Sequence, residues 1–500
     1  MARPRLLQHP LSYAGAALTA LSLVVFVFLL ILHTVSGAAE APYAGIIIFV
    51  VTPVFLFLGL ALVPAGMLLE RRRRRRTGAA SARPLPVIDL NDARHRTAAL
   101  ALVAGTILLA ALSVFGGSQA YHLTESVEFC GAVCHTVMEP EYVTYQNSPH
   151  AKVACVECHV GPGADWYLRS KLQGTRQLAG VLLGDFPRPI PAHAADLRPA
   201  RDTCEGCHWP NHFSGERRKS IVHFLPDEQN TPWRIELLVR VGGGNAGSPA
   251  EGIHWHMNLA NRIEYVAADP ERREIPWVRV TDRATGETVV YASTANALSE
   301  EELGAAEIRT MDCMDCHNRP AHRLRSPSEA VNMALATGRI DKNLPHVKRT
   351  AVELLSAEYG TTEQALEALR QGIVDFFRSE HPELAERKQA AIAGAVVELQ
   401  AIYRGNAFPR MRARWDTYPS HAAHLIAPGC QRCHDGLHQS EDGRRIESAC
   451  DTCHTLIAQG TPGTESWESS LEGLEFRHPE EIGDAWQAMP CSACHTGALP

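Results

Sequence analysis

The chain has 500 residues, of which 45% are hydrophobic and 21% are charged, and its formal net charge is −7. This length is sufficient for more than one domain. The acidic balance, with its one long basic run lying between apolar segments, excludes a nucleic-acid-binding protein.

Three apolar stretches near the N-terminus, residues 11–35, 44–69 and 98–117, are each long enough to cross a bilayer. The basic run Arg71–Arg76 lies between the second and the third, and the positive-inside rule places it in the cytoplasm. We therefore predict a multi-pass anchor over residues 1–117 in the bacterial cytoplasmic (inner) membrane, with residues from about 118 to 500 in the periplasm. A cleaved signal peptide is the alternative for the first stretch, but its apolar run exceeds the ~7–15 residues of a signal core.

All 14 cysteines occur in pairs, and a histidine follows each pair directly. Six pairs have the Cys-x-x-Cys-His signature of covalent c-type haem attachment, in which two thiols add to one porphyrin and the imidazole lies under the iron. Disulfides and zinc are the alternatives, but neither needs a histidine after every second cysteine. We predict seven covalently bound c-type haems, held by Cys130, Cys134, Cys155, Cys158, Cys204, Cys207, Cys313, Cys316, Cys430, Cys433, Cys450, Cys453, Cys491 and Cys494, with the motif ligands His135, His159, His208, His317, His434, His454 and His495.

The first motif, "CGAVCH", has one residue more than the other six between its cysteines. The backbone must bulge there to bring both sulfurs to one porphyrin. Met138 follows three residues after His135, so a helix starting at the motif would place both on one face. They cannot easily be the two opposite ligands of one iron; Met138 either replaces His135 or packs against the ring.

The motifs are unevenly spaced, and this spacing suggests a division into regions. We predict a mostly α protein in which a trihaem module (118–210) follows the anchor. A β-rich insertion (211–312) comes next, because "WRIELLVRV", "NRIEYVAA" and the hairpin "WVRVTDRATGETVVYAS" alternate like strands. The fourth motif and a helical insertion occupy 313–429, and a second trihaem module occupies 430–500.

The opposite faces of the haem irons offer six or seven positions for distal ligands. Histidines close in sequence to a motif or in a short loop are the candidates. His254 and His256, in "GIHWHMN", would share a strand face, and we leave open whether one is a ligand or both are surface residues. Our choices are His150, His193, His322, His424, His438 and His478.

The segment from the third apolar stretch to His208 resembles the NapC/NirT family of membrane-anchored quinol dehydrogenases. The resemblance is carried by "FCGAVCH", Met138, "SPH" before "CVECH", and "WYLRSKLQGTRQ" after it. Over its full length the chain is similar to the heptahaem inner-membrane cytochromes of metal-reducing bacteria, through "CMDCHNRPAH" and "YPSHAAHLIAPGCQRCHDGLH". Family members typically have one anchor and four haems, whereas this sequence predicts three spans and seven haems.

The resemblance implies a quinol:cytochrome c oxidoreductase that oxidises menaquinol from the membrane quinol pool and reduces a periplasmic c-type cytochrome or reductase. It also implies that Met138 is a haem ligand. Quinol oxidation releases protons, so an acid/base group is needed. The matching loop offers Asp165, Lys171 and Gln177, of which Lys171 matches the family's lysine. The alternatives are a membrane-anchored multihaem reductase of a small nitrogen or sulfur substrate, and a haem adaptor without its own quinol site.

Overall fold

The computed structural model describes residues 9–35, 51–76, 89–133, 135–161, 164–191, 199–209, 213–243 and 252–499. It divides into two compact units, Met1–His135 and Thr136–Pro500. Three predicted features lie outside the described residues: Cys134, the distal candidate His193, and the start of the second apolar stretch.

The described residues of the first unit include three long helices, α1 (Pro10–Val35), α2 (Thr52–Arg76) and α3 (Ala93–Thr124). Small residues allow α1 and α2 to pack closely and antiparallel. A side chain added at Gly15 would meet the carbonyl of Gly59 at 2.7 Å, and one added at Gly66 would meet the Ser12 hydroxyl at 2.3 Å. The Ser12 hydroxyl donates to the Val63 carbonyl at 3.1 Å. Such small-residue contacts are typical of helix pairs in membranes, where lipid removes the hydrophobic driving force between helices.

Two helices of the described residues are long and apolar enough to cross a membrane, over Pro10–Leu29 and Thr52–Arg73. The predicted third span lies within α3, and α3 does not satisfy this criterion. Both ends of α3 are polar, and several side chains in its middle are outside the described part. The described residues therefore contain two helices that satisfy the criterion for a span, where the sequence predicted three. The second helix also continues beyond the predicted end at residue 69 and includes the basic run.

The second unit begins with helices of very different lengths: α4 (His135–Gln146), α5 (Cys155–His159), α6 (Ala164–Leu183) and α7 (Ala200–Cys204). A small apolar core joins Val137 of α4 and Val181 of α6 to residues far along the chain, including Leu324, Phe408 and Tyr418. The Tyr418 hydroxyl donates to the Ile190 carbonyl at 2.5 Å and ties the same regions together.

The predicted strands form two antiparallel sheets, with orders β1-β2-β10-β11 and β6-β3-β4-β5-β9. Gly286, with φ 75°, lies in the predicted hairpin turn between β4 and β5, where a residue with a side chain would be strained. Strands from the C-terminal region complete both sheets, so residues 211–312 do not form a separate β unit. The strands are β1 (Glu216–Phe224), β2 (Pro232–Arg240), β3 (Asn261–Val266), β4 (Trp277–Asp282), β5 (Thr288–Ser293), β6 (Arg309–Thr310), β9 (His438–Gln439), β10 (His454–Gly460) and β11 (Glu468–Ser469), with a further pair of β7 (Ala407–Phe408) and β8 (Ala413–Arg414) and a short helix α8 (Glu300–Ala305).

The predicted helical segment forms a bundle that holds the largest apolar core of the described residues. Ser326 caps its first helix by accepting from the Glu329 amide at 3.2 Å, and Pro327 follows at the first helical position. Leu369, Ile373 and Phe377 lie four residues apart and are fully buried on one face. The helices are α9 (Pro327–Ala336), α10 (Val347–Ser356), α11 (Thr362–Glu380), α12 (Pro382–Arg387) and α13 (Gln389–Asn406), and a last short helix α14 (Ala485–Ala488) precedes the final motif.

Candidate haem-binding site

The Cys-x-x-Cys-His motifs fold into similar short helical turns. In four of them the histidine amide donates to the carbonyl of the first cysteine, which places both cysteines and the imidazole on one side of the turn. The distances are 2.7 Å for His208, 2.8 Å for His317, 3.0 Å for His434 and 2.9 Å for His495. The second motif occupies α5, whereas His454 of the sixth is the first residue of β10.

The motif turns have little protein core of their own. The segments Cys155–His159, Cys450–Thr452 and Cys491–Ala493 contain no buried residue. The thirteen cysteines in the described part of the chain are all free of disulfides. These are the properties expected of turns that pack against a flat apolar group and bond to it covalently, so the residues fit covalently attached haem.

Each of the six intact motifs places its histidine opposite a second histidine. Two imidazoles that bind one metal ion from opposite sides at about 2 Å hold their ring centres about 6 Å apart. The ring centres here are 6.0 Å apart for His208 and His150, 6.2 Å for His159 and His322, 6.5 Å for His317 and His254, 5.9 Å for His434 and His256, 6.2 Å for His454 and His424, and 6.0 Å for His495 and His478.

Hydrogen bonds to backbone carbonyls orient several of these rings. A ring whose Nδ1–H donates to a carbonyl presents the lone pair of Nε2 to a metal. His254 contacts the Val241 carbonyl at 2.7 Å and His322 contacts that of Glu141 at 2.9 Å, both through Nδ1. The same contact occurs at 3.0 Å for His256, 2.6 Å for His434 and 2.9 Å for His478.

Burial favours the neutral imidazole, which is the form that binds iron. Removal from water lowers the pKa of both rings in the pairs His159–His322 and His424–His454. The pKa values of His256, His317 and His495 are also lowered by burial.

Four distal candidates from the sequence, His150, His322, His424 and His478, face a motif histidine. His438 does not. Its Nδ1 lies 2.9 Å from Asp435 and its Nε2 lies 2.7 Å from the Ile275 carbonyl, so both ring nitrogens already have partners.

Sequence reasoning left the roles of His254 and His256 open, and expected a strand. They lie on a 3₁₀ turn, Ile253–Met257, and each faces a different motif. The signal in the sequence was a pair of histidines separated by one residue. In addition, the chain has seven motifs, and only six distal ligands were assigned.

The ring separation identifies a haem site only together with a cysteine pair. His346 and His381 also have ring centres 6.4 Å apart. They belong to the helical bundle, where no cysteine occurs between residues 317 and 429.

The first motif has a different backbone from the others. Residues Phe129–Val133 form a π-helix, whose wider turn accommodates the extra residue that the sequence showed between Cys130 and Cys134. The following helix α4 begins at His135, as expected, and carries a half-buried Met138 in its first turn.

The three predicted quinol-site residues lie on helix α6 and not in a loop. Asp165 is the second residue of this helix. Lys171 and Gln177 are six residues apart, so at about 100° per residue they lie on faces about 120° apart. The Lys171 ammonium lies 5.1 Å from the centre of the Tyr167 ring. Leu172, Leu182 and Leu183 are 58%, 78% and 82% exposed and form an apolar stripe on the same helix, with Lys171 at one side.

A buried polar network fixes the fourth motif. Asp315, inside "CMDCH", accepts from the Tyr265 hydroxyl at 2.5 Å and from the Arg272 guanidinium at 2.6 Å. Its backbone carbonyl accepts from Arg432, inside the fifth motif, at 2.6 Å. The network therefore joins two motifs that lie more than a hundred residues apart.

Paired cysteines, facing histidines and apolar anchor helices together define a membrane-anchored multihaem c-type cytochrome that functions in electron transfer. The NapC/NirT cytochrome c family, N-terminal region, matches residues 92–190, and the chain belongs to this family.

Two relatives support this assignment. The chain is 40% identical to the cytochrome c-type protein ImcH of Geobacter sulfurreducens over 495 residues, which cover 98% of this chain and 96% of that protein. It is 32% identical to the cytochrome c-type protein NrfH of Wolinella succinogenes over 78 residues, which cover 15% of this chain and 44% of that protein. No solved structure matches the chain.

Proposed function

We propose that the protein oxidises menaquinol at the membrane and passes the electrons through seven covalently attached haems to a periplasmic c-type cytochrome or reductase. Each haem, when bound, supplies a one-electron redox centre. The observation that carries the proposal is the set of six facing histidine pairs. An iron held by both histidines of a pair would have no free position for a substrate, so these six sites are suited to electron transfer.

The pairs disfavour the alternative of a periplasmic reductase acting on a small nitrogen or sulfur compound. Such an enzyme needs an iron with one open axial position, in the part of the chain beyond residue 200. All five motifs in that region have a histidine opposite the motif histidine.

The first motif is the proposed entry point for electrons. It differs from the others in its π-helical backbone and in the methionine that follows, and Cys130 lies close in sequence to the apolar part of α3. A methionine ligand raises the potential of a haem by favouring the reduced iron. In this proposal Met138 is that ligand and the opposite face is open to quinol.

Helix α6 provides the chemistry expected beside a membrane quinol. Its exposed leucines offer an apolar surface of the kind that meets lipid, and Arg169 and Lys171 lie on the same helix. We propose that Lys171, at the edge of this stripe, orients the quinol or accepts its proton. Asp165, in the first turn of the same helix, is the second candidate, whereas Gln177 lies on a different face from Lys171 and has the weaker case.

The last motif lies in acidic surroundings that favour a basic electron acceptor. Between residues 464 and 489 there are seven acidic residues and one arginine. Complementary charge accelerates the encounter of two proteins, most strongly at low ionic strength.

The proposal is tested by adding a menaquinol analogue to the purified protein in liposomes. We expect haem reduction within seconds. If dithionite reduces every haem and the quinol reduces none, the quinol-oxidase proposal is wrong and the adaptor alternative gains support.

Two variants sharpen this test at helix α6. Lys171→Ala should slow quinol-dependent reduction by about a hundredfold, the scale of a lost acid/base group, without changing dithionite reduction. Thr175→Ala, at an exposed position of the same helix outside the proposed site, is the matched control and should react like the unmodified protein. Equal rates in both variants would remove Lys171 from the site.

A third variant tests the first motif. Met138→Leu should lower the potential of one haem or leave it high-spin, and slow reduction by quinol, while six haems keep their low-spin spectra. Mass spectrometry finding six haems, with free thiols at Cys130 and Cys134, would contradict the seven-haem proposal directly.

A further inference from the structure

We propose that the second to seventh motifs lie in single file in chain order, so that the C-terminal motif is the free end of the electron path. This inference rests on the proposed attachment of a haem to each motif. Electron transfer slows steeply with distance, so the order of neighbouring haems decides the route. Five junctions between successive motifs carry the argument.

The second and third motifs are adjacent. Helix α5, which carries Cys155 and Cys158, packs against α7, which carries Cys204. In addition His150, which faces His208 of the third motif, precedes Cys155 of the second by only five residues.

The third and fourth motifs meet through the elements that carry their cysteines. Helix α7 packs against the turn Cys313–Asp315. Cys204 is the last residue of α7 and Cys313 is the first residue of that turn, so the two elements that touch each carry a motif cysteine.

The fourth and fifth motifs share both a support and a source of ligands. The single turn Ile253–Met257 provides His254 opposite the fourth motif and His256 opposite the fifth. The Arg432 side chain of the fifth motif donates to the Asp315 carbonyl of the fourth. Two sites bound to neighbouring residues of one turn cannot be far apart.

The fifth and sixth motifs are also linked, through a facing histidine that lies close in sequence and through a hydrogen bond. His424, which faces His454 of the sixth motif, precedes Cys430 of the fifth by six residues. The His434 ring of the fifth motif contacts the carbonyl of Glu447, three residues before Cys450, at 2.6 Å.

The sixth and seventh motifs meet at strand β10. The Leu474 amide donates to the Leu456 carbonyl at 2.8 Å. Leu456 lies two residues after His454 of the sixth motif, and Leu474 lies four residues before His478, which faces the seventh motif.

One contact joins two motifs that are not consecutive, the second and the fourth. His322, opposite the second motif, lies five residues after His317 of the fourth. Helix α7 of the third motif nevertheless packs against elements of both the second and the fourth motif, so the third motif is placed between them.

The order is tested directly by the iron positions in a cryo-electron-microscopy structure of the haem-loaded protein. We expect the five shortest iron–iron distances among motifs two to seven to join consecutive motifs. A second-to-fourth distance shorter than either distance to the third would overturn the single file. Neither result depends on quinol, so a failure here is separate from a failure of the proposed function.

Two ligand variants test the order in solution by electron paramagnetic resonance. His478→Met marks the seventh haem and His424→Met marks the sixth, because histidine–methionine coordination has its own low-spin signal. Nearby oxidised irons broaden that signal, so the end site should be broadened by one neighbour and the interior site by two. Equal broadening of both markers would contradict the proposal. If His424→Met loses its haem, as counted by mass spectrometry, His256→Met at the fifth motif serves as the interior marker with the same expectation.

Discussion

The helical bundle α9–α13 and the motif turns differ in the interactions that stabilise them. In the bundle, side chains such as Val331, Leu369 and Leu399 are fully buried and form a continuous apolar core. The turns at Cys155–His159, Cys450–Thr452 and Cys491–Ala493 bury nothing. The bundle is therefore an ordinary protein core, whereas the motif segments depend on covalent and axial bonds to a group that the chain does not encode. One chain thus contains regions with different requirements for folding.

The strongest test of this contrast is to prevent haem attachment. In a host that lacks c-type haem maturation, we expect hydrogen exchange at 155–209 and 430–499 to approach that of an unfolded chain. Amides of α11 and α13 should remain protected by about a hundredfold or more, because their core needs no haem. Protection of the motif segments without haem would show that the polar contacts alone fold them.

A second test removes the polar support of one motif and leaves its cysteines intact. Asp315→Ala leaves the Arg272 guanidinium, 13% exposed, without its partner. Loss of one member of a buried ion pair costs about 3–5 kcal/mol, so the denaturant midpoint of the haem absorbance should fall markedly.

The matched control for Asp315→Ala is Glu367→Ala. Glu367 pairs with Arg370 on the surface of α11, where both side chains are about half exposed. That change should alter the free energy of unfolding by less than about 0.5 kcal/mol. Similar effects from both changes would mean that Asp315 does not support the motif.

The smallest expected effect concerns a charge inside the bundle. Lys348 is fully buried, its Nζ donates to the Ser328 hydroxyl at 2.9 Å, and burial lowers its pKa to about 7. The unfolded chain, with a lysine pKa of about 10.4, therefore binds more protons between pH 7 and pH 10, and stability must rise with pH across this window. We expect the melting temperature to rise by about 2–4 °C from pH 7 to pH 9.

Lys348→Met should abolish this rise, whereas Lys342→Met, at an exposed lysine nearby, should preserve it. The measurement is calorimetry in detergent at several pH values, comparing each variant with the unmodified protein. A pH slope that survives Lys348→Met would assign the effect to other groups.

Local patterns in the sequence were sufficient to predict the helices of the bundle and most of the strands. The segments "TTEQALEALRQGIVDFFRSE" and "WRIELLVRV" form α11 and β2 because their periodicities match the buried faces of those elements. The motif cysteines were equally visible, because the spacing itself encodes the chemistry.

The interactions that escaped sequence reasoning join residues far apart in the chain. Strand β10 pairs with β2 across more than two hundred residues, so a boundary between the β-rich region and the C-terminal module was drawn where none exists. His254 and His256 likewise lie 63 and 178 residues before the motif histidines that they face. His438 was chosen for its nearness to a motif, which does not reveal that Asp435 and the Ile275 carbonyl hold both its nitrogens.

The seam of small residues between α1 and α2 also bears on the order of synthesis. Every contact across it is made within the first 76 residues, before the ribosome has translated any cysteine. The two helices can therefore insert and pair while the rest of the chain is still being made, without waiting for the haem-attachment machinery. A growing chain tethered in this way presents its motifs one after another to enzymes at the same membrane, and its anchor does not depend on their success.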